Sequence, residues 1–169
     1  PFMINFLNKF IKRVNNHNDI SKKIIELSKN TPVKKIFNSI NNFSDNSEIR
    51  YVGGCIRKII IGEKVDDIDL ATNLNPQQVC NILENNNINF YETGIKHGTV
   101  TAVIDNYKFE ITSLREDLET DGRHAQVRFS TDWKKDALRR DFTFNAIYSD
   151  LEGNLFDPFN GKADLENGI

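Results

Sequence analysis

The sequence predicts an α+β domain with a mixed or antiparallel sheet flanked by helices, preceded by an N-terminal helical segment. Two observations carry that prediction. Apolar residues recur at three- and four-residue spacing through about the first 45 positions, as in amphipathic helices. From Ile49 onward, short alternating segments typical of strands are interleaved with short helical segments. The chain therefore divides into a helical extension, residues 1–48, and a folded domain, residues 49–169.

The extension is predicted to contain three helices. The first spans residues 3–14, and its basic amphipathic character favours packing against protein over a membrane surface. The second is predicted to begin at a cap formed by Asp19 or Ser21. Thr31 is expected to cap the third helix, with Pro32 in its first turn.

The domain is predicted to alternate strands and helices in order. Its expected elements are strand 49–52, helix 56–61 ended by Gly62, strand 67–71, a helix opened by Asn75-Pro76, strand 88–91, and a hairpin of strands 99–104 and 108–112. Residues 115–131 are polar without a clear period and are predicted to form a loop. Asp132 is expected to cap a helix through Leu138, and two short strands follow at 145–150 and 154–156.

Composition narrows the function classes. Lys and Arg total 22 against 24 Asp and Glu, a formal net charge of −2. This near-neutral balance excludes a generally basic nucleic-acid coat, so contact with RNA or DNA needs a local patch. Two cysteines are too few for a disulfide framework, which favours a reducing compartment. The longest apolar stretches fall far short of the ~18 residues of a spanning helix, so the sequence predicts a cytoplasmic protein without a membrane partner.

Asp67 and Asp69 are the first candidate site residues. Side chains two apart in a strand point to the same face, so these carboxylates are expected side by side. Adjacent carboxylates repel unless a cation lies between them, and their hard oxygens suit Mg²⁺, with Mn²⁺ as an alternative. The same pattern also fits an exposed strand with two solvated acids.

Gly53-Gly54 and Arg57 form a second candidate element. Glycines between a strand and a helix let the backbone approach a ligand closely, and the N–H groups at the helix start favour an anion. Arg57, one turn into the helix, has the fork geometry to hold two phosphate oxygens. A plain strand-turn-helix corner has the same sequence. The acidic strand follows directly, so an anion site and a cation site would lie next to each other. That arrangement suits a nucleoside triphosphate held as its Mg²⁺ complex.

Two further elements complete the candidate site. Glu110 lies between Phe109 and Ile111 in a predicted strand, so its side chain projects to the face opposite their apolar side chains. If that face also carries Asp67 and Asp69, Glu110 is a third acid of the site. The alternative is an ordinary exposed glutamate. Arg139-Arg140-Asp141 either binds phosphate or ribose, or pairs internally at a helix C-terminus.

Together these segments are far more specific than any one alone. They read, in order, Val52-Gly53-Gly54-Cys55-Ile56-Arg57, Gly62, Asp67-Ile68-Asp69-Leu70-Ala71-Thr72, Lys96-His97-Gly98-Thr99-Val100, Phe109-Glu110-Ile111-Thr112, Leu114-Arg115, Asp121-Gly122-Arg123-His124-Ala125, Asp132-Trp133, Arg139-Arg140-Asp141-Phe142-Thr143 and Asp157-Pro158-Phe159-Asn160-Gly161. This series resembles the head domain of class II tRNA nucleotidyltransferases and bacterial poly(A) polymerases, and it covers roughly residues 49–169.

The resemblance implies a polymerase-β-like nucleotidyltransferase head that uses two Mg²⁺ ions. It implies that Asp67 and Asp69 hold the metals and that Glu110 is the third catalytic carboxylate. Nucleotide contacts are implied for Gly53, Gly54, Arg57, Arg115, Arg139, Arg140 and Asp141. The segment from about Glu116 to Phe129 corresponds to the flexible loop that the family uses when it switches from C to A addition.

The resemblance also implies a function and its alternatives. The expected activity is template-independent addition of CMP and AMP, from CTP and ATP, to the 3′ end of tRNA. Poly(A) or A-only addition is the alternative within the same chemistry, and a truncated or split-gene head, inactive without a separate body chain, is the alternative from another class. The family's neck, body and tail domains are absent from this chain. One position departs from the motif: the family carries Asp after its arginine, whereas this chain has Lys58 and so lacks that ion-pair partner for Arg57.

Overall fold

In the computed structural model, residues 16–118 and 126–168 are described and alternate between helices and strands. The α-helices are α1 (His17–Asn30), α2 (Val33–Asn41), α3 (Gly54–Ile61), α4 (Pro76–Asn85), α5 (Trp133–Leu138) and α6 (Gly161–Asn167). The strands are β1 (Ile49–Val52), β2 (Ile68–Thr72), β3 (Asn89–Gly94), β4 (Thr99–Ile104), β5 (Tyr107–Ser113), β6 (Arg115–Leu118), β7 (Gln126–Phe129), β8 (Tyr148–Ser149) and β9 (Leu155–Phe156). Short 3₁₀ turns lie at Ile95–His97 and Thr143–Asn145.

Seven strands form one mixed sheet in the order β3-β4-β5-β2-β1-β8-β9. Strands β2 and β5 are parallel, and the other neighbouring pairs in this sheet are antiparallel. The expected α+β class with a mixed sheet and flanking helices is confirmed.

Helices α1 to α4 cover one face of this sheet. The core between them and the strands includes Ile20, Ile24, Ile36, Phe37, Ile56, Leu70, Leu83, Phe109 and Ile111. Because α1 and α2 contribute side chains with no measurable exposure, such as Ile24 and Ile36, this part of the N-terminal extension packs into the same core as the sheet. Alternation along β2 and β5 then leaves their polar side chains on the opposite face.

Several local predictions are confirmed. Asn75 caps α4 through a reciprocal pair of hydrogen bonds with Gln78, and Pro76 occupies the first turn. Gly62 ends α3 with a left-handed φ of 74°. The β4–β5 hairpin turns at Asp105, which has a positive φ of 53°.

The expected caps of the N-terminal helices are wrong. Helix α1 begins at His17 and is capped by Asn16, three residues before Asp19, whose backbone N–H donates a hydrogen bond to the Asn16 side chain at 2.9 Å. Thr31 ends α1 rather than starting α2, and Pro32 is the residue before α2. The helix predicted over residues 3–14 lies outside the described residues.

The predicted loop over 115–131 is also partly wrong. Strands β6 and β7 pair within it as a separate two-stranded antiparallel sheet. An ion pair between the cross-strand neighbours Glu116 and Arg128 joins the two strands. Because charged side chains face each other, the apolar alternation that marks a strand is missing from the sequence.

The C-terminal part has a shorter strand and one more helix than predicted. The predicted strand 145–150 reduces to β8, because a 3₁₀ turn takes its first residue. Helix α6 begins where Asp157 accepts hydrogen bonds from the backbone N–H groups of Gly161 at 2.7 Å and Lys162 at 2.9 Å. A side chain at Gly161 would collide with the Thr143 backbone, so this turn needs glycine. Among the described helices, none is long and apolar enough to cross a membrane.

Candidate active site

The acidic part of the site is formed by the pairing of two parallel strands. Asp69 of β2 and Glu110 of β5 are direct Cα partners, and partners in register project to the same face. Their sequence neighbours Leu70 and Phe109 point into the helix-covered core. Burial, followed by the nearby charges of Glu110 and Asp67, raises the pKa of Asp69.

Asp67 lies just outside this pair. Strand β2 begins at Ile68 rather than at the predicted Asp67, because the ladder with β5 begins where Ile68 meets Phe109. Asp67 is exposed and lines a second concavity together with Asp69 and Glu110. The structure therefore brings together the three predicted acids, two by register and one by proximity.

These acids fit a hard divalent cation by their chemistry. None of the three forms an ion pair with another residue in the described ranges, and their mutual repulsion is the condition that a divalent cation relieves. Within those ranges there is no cluster of three or more His, Cys, Asp or Glu side chains close enough to form a ready-made metal site. The coordination of any bound metal would therefore be completed by other ligands, such as phosphate or water oxygens.

The predicted phosphate cradle lies between β1 and α3. Gly53 has a positive φ of 69°, which a residue with a side chain rarely adopts. Apart from its chain neighbours and the backbone of its own helix, no atom lies within 4 Å of the position that a Cβ on Gly54 would occupy. Gly53 and Gly54 also line the main cavity, so a ligand there can approach the start of α3, as an anion site at a helix N-terminus requires.

Arg57 is oriented by a residue that the sequence did not single out. Its Nη1 donates a hydrogen bond to Asn145 Oδ1 at 2.7 Å, and its guanidinium lies 5.8 Å from the Phe144 ring centre. Lys58 instead pairs with Asp66 at 3.0 Å. Although this chain has Lys58 where the family has Asp, Arg57 therefore still has a hydrogen-bond partner, Asn145.

Arg139 and Arg140 share one buried carboxylate. Asp136, one turn earlier and 1% exposed, pairs with Arg139 at 3.1 Å and with Arg140 at 3.2 Å. Tyr148 donates a hydrogen bond to the same carboxylate at 2.6 Å. The internal pairing considered for these arginines is present, and both side chains also line the main cavity.

Arg115 connects the arginine cluster to the β6–β7 hairpin. Its backbone N–H donates to Asp136 at 3.1 Å, and its Nη1 donates to the His97 carbonyl at 3.1 Å. Burial, followed by the charge of Arg139, lowers its pKa from the ordinary value. Its Nε is buried and has no hydrogen-bond partner among the described atoms.

A cavity of about 850 Å³ collects these groups. Both acids and arginines line it. Its predicted site residues are Gly53, Gly54, Arg57, Asp69, Glu110, Arg115, Arg139, Arg140 and Asp141. Opposite charges lining one concavity suit an anionic ligand held together with a cation.

Sequence reasoning missed three residues that orient the site: Asp136, Asn145 and Tyr148. A signal existed for Asp136, because its spacing of three and four residues from Arg139 and Arg140 places all three on one side of a helical turn. Asn145 had no comparable signal, since it meets Arg57 from 88 residues away.

The fold and the site together define a polymerase-β-like nucleotidyltransferase head. Residues 49–169 match the Poly A polymerase head domain family, and the chain belongs to that family. It is 47% identical over 124 residues to the mitochondrial CCA tRNA nucleotidyltransferase 1 of Mus musculus, a match that covers 73% of this chain and 29% of that protein. The chain thus spans about three tenths of the length of the curated relatives it matches.

Solved structures show the same similarity. The Bacillus stearothermophilus CCA-adding enzyme in complex with CTP is 31% identical with a TM-score of 0.65, over 79% of this chain and 31% of that one. A tRNA nucleotidyltransferase complexed with a primer tRNA and an incoming ATP analog is 28% identical with a TM-score of 0.54, over 72% and 34% of the two chains.

Proposed function

We propose that this chain is the catalytic head of an enzyme that adds CMP and AMP, from CTP and ATP, to the 3′ end of tRNA without a template. The observation that carries the proposal is the β2–β5 register, which sets Asp69 beside Glu110 at the edge of an arginine-lined cavity. The names of the similar proteins, which handle CTP, an ATP analog and primer tRNA, support the choice of substrates.

In this reaction the tRNA 3′-hydroxyl oxygen attacks the α-phosphorus of the nucleotide. A new P–O bond forms, the bond from the α-phosphorus to the bridging oxygen breaks, pyrophosphate leaves with that electron pair, and the hydroxyl proton is released.

Arg57 and the first turn of α3 would hold the triphosphate. Arg115, Arg139 and Arg140 would hold the remaining phosphate charge or the ribose, and Asp141 lines the same cavity. Because these groups are oriented in advance, their role is to position and to stabilise charge.

Mg²⁺, with Mn²⁺ as an alternative, is the proposed cofactor. Asp67 and Asp69 would hold two such ions, with Glu110 as the third carboxylate, since these acids offer hard oxygens and none of them forms an ion pair in the described part of the chain. When bound, the metal supplies a Lewis acid that lowers the pKa of the attacking hydroxyl and offsets phosphate charge.

Two alternatives and a location complete the proposal. Poly(A) or A-only addition would use the same cavity, and the CCA-adding relatives favour tRNA as the acceptor. A head that acts only with a separate body chain is the second alternative, since the chain matches about three tenths of its relatives. A cytoplasmic location stays a prediction from the sequence, because the Mus musculus relative is named as mitochondrial.

The test is nucleotide incorporation by the full chain. A tRNA transcript that lacks its terminal CCA is incubated with Mg²⁺ and labelled CTP or ATP, each alone and then together. We expect CMP incorporation first and AMP only after CMP, and loss of both in Asp69→Asn. Incorporation of AMP alone in long runs would replace tRNA repair by poly(A) addition.

Asp105→Asn is the matched control, because it makes the same change in a turn where Asn tolerates the positive φ. Equal loss in both variants would show that the effect is not specific to the site. No incorporation by the wild-type chain, followed by incorporation when a body chain is supplied, would select the split-head alternative.

A further inference from the structure

One row of side chains crosses four neighbouring strands on the open face of the sheet. Tyr91 of β3 is the Cα partner of Thr101 of β4, Thr101 is the partner of Glu110 of β5, and Glu110 is the partner of Asp69 of β2. Partners across a sheet project to the same side. The aromatic ring of Tyr91 is therefore aligned with the acidic pair, and two strand spacings, about 10 Å, separate its backbone from that of Glu110.

The acidic pair lies between two concavities. Along β5, Thr112 lines the arginine cavity, Glu110 lines both, and Lys108 lines the second concavity of about 560 Å³. Tyr91 and Thr101 line this second concavity as well, and neither lines the first. In the proposed reaction the leaving pyrophosphate and the attacking hydroxyl lie on opposite sides of the α-phosphorus. If the arginine cavity holds the triphosphate, the second concavity is where the attacking strand must arrive.

We infer that this second concavity is the subsite for the last nucleotide of the acceptor RNA, with its base stacked on Tyr91. This inference rests on the proposed function. Tyr91 is 55% exposed, so its ring is available for stacking. Thr101, which is hydrogen-bonded to Thr93 at 2.9 Å, has a small side chain, so no bulky residue separates Tyr91 from Glu110 in this row.

Lys108 supplies the complementary charge. It lies two residues before Glu110 on the same face of β5 and is exposed. Its ammonium group forms no ion pair with any residue that the structure describes. A free cation at the outer edge of the concavity suits the phosphate that precedes the terminal nucleotide. Stacking and one phosphate contact recognise an RNA end without reading its sequence, as required when the terminal base changes after each addition.

Photo-cross-linking tests the placement without requiring turnover. An acceptor-stem minihelix that lacks CCA and ends in 5-iodouridine is irradiated with the full chain, and the cross-linked residue is mapped by mass spectrometry. We expect the cross-link at Tyr91, its retention in Tyr91→Phe and its loss in Tyr91→Ala. Tyr107→Ala is the matched control, because Tyr107 is 43% exposed on the same sheet but shares a face with the core residue Phe109.

Kinetics and nucleotide binding separate this inference from the proposed function. Tyr91→Ala is expected to raise KM for the RNA about tenfold, with KM for CTP unchanged. Equilibrium dialysis with labelled CTP measures nucleotide binding in the arginine cavity independently.

CTP binding by a wild-type chain whose RNA cross-link falls elsewhere would overturn the inference and leave the proposed function standing. A cross-link from 8-azido-ATP to Tyr91 would assign this subsite to the incoming nucleotide, which also overturns the inference. A chain that binds neither CTP nor the RNA would overturn both.

Discussion

The two faces of the central sheet have opposite roles, although the same strands form both. On the helix-covered face, Leu70, Phe109 and Ile111 have no measurable exposure. On the open face, Asp69 and Glu110 are sequence neighbours of these core residues, and neither acid forms an ion pair in the described part of the chain. Packing on the helix-covered face thus stabilises the sheet and fixes the register of its strands. That register places the two acids of the open face side by side.

This comparison shows how a strand can carry unfavourable electrostatics. Two carboxylates placed side by side destabilise a fold unless the surrounding packing outweighs their repulsion. Here the apolar residues that alternate with them supply that packing. A slip of one residue between β2 and β5 would turn the acids into the core, so burial of the apolar face strongly disfavours it.

The largest effect is expected from the core face. Phe109→Ala should lower the free energy of unfolding by about 3–5 kcal/mol, because it removes a fully buried ring and leaves a cavity. Urea denaturation monitored by circular dichroism measures the change. Glu110→Gln, one residue away on the other face, is the control and should stay within about 0.5 kcal/mol. Equal destabilisation by both would erase the difference between the faces.

The open face should show the reverse pattern. Asp69→Asn is expected to reduce the incorporation rate on the order of 10³-fold, equivalent to about 4 kcal/mol. Its thermal stability at neutral pH, measured with a chelator present, should be unchanged or higher. Because the pKa of Asp69 is raised in the fold, its charged form disfavours the folded state above that pKa, and the neutral amide removes this effect. A clear drop in melting temperature would assign Asp69 a structural role.

Asp136 sharpens the comparison, because it is a buried acid that supports the open face. Asp136→Asn should cost about 1–3 kcal/mol of stability, since charge-assisted hydrogen bonds to two arginines weaken. It should also weaken CTP binding, measured by equilibrium dialysis. Asp132→Asn on the same helix is the control, because asparagine caps a helix as well as aspartate. Unchanged CTP binding in Asp136→Asn would mean that the arginines do not depend on this anchor.

The smallest effect is expected at Lys58. Lys58→Ala removes a partly exposed pair with Asp66 and should change stability by less than about 1 kcal/mol. CTP binding should also be unchanged, because Asn145 orients Arg57. Asn145→Ala is the informative counterpart and should weaken CTP binding several-fold through the lost 2.7 Å hydrogen bond. The opposite ranking of the two variants would show that Lys58 has taken over the role of the family's Asp.

Much of the fold followed from local pattern. The hairpin turn at Asp105 and the capped start at Asn75 depend on residues close in sequence, and both were predictable. The β6–β7 ladder was not, because it rests on cross-strand charge pairing between Glu116 and Arg128 rather than on alternation. Helix α1 was placed too late, because Asp19, Ser21 and Asn16 all suit a cap and only the fold selects Asn16.

For the site, residue types were predictable and their partners were not. The resemblance implied the acids and arginines; in the structure Asp69, Glu110 and the arginines line one cavity, and Asp67 lines the adjoining concavity. That Arg57 binds Asn145, that Asp136 holds two arginines, and that Tyr91 aligns with Glu110 all depend on contacts between distant segments. Such contacts leave no periodic signal in a single sequence.

The parallel pairing of β2 with β5 also orders events during synthesis. Asp69 and Glu110 are about forty residues apart in sequence, with α4, β3 and β4 between them. On the ribosome, β2 emerges first and stays without its parallel neighbour until the β4–β5 hairpin follows, which takes a few seconds at about 5–20 residues per second. The acidic pair therefore cannot exist on a nascent chain before the hairpin folds, so an incompletely synthesised head has no assembled acidic pair with which to transfer nucleotides.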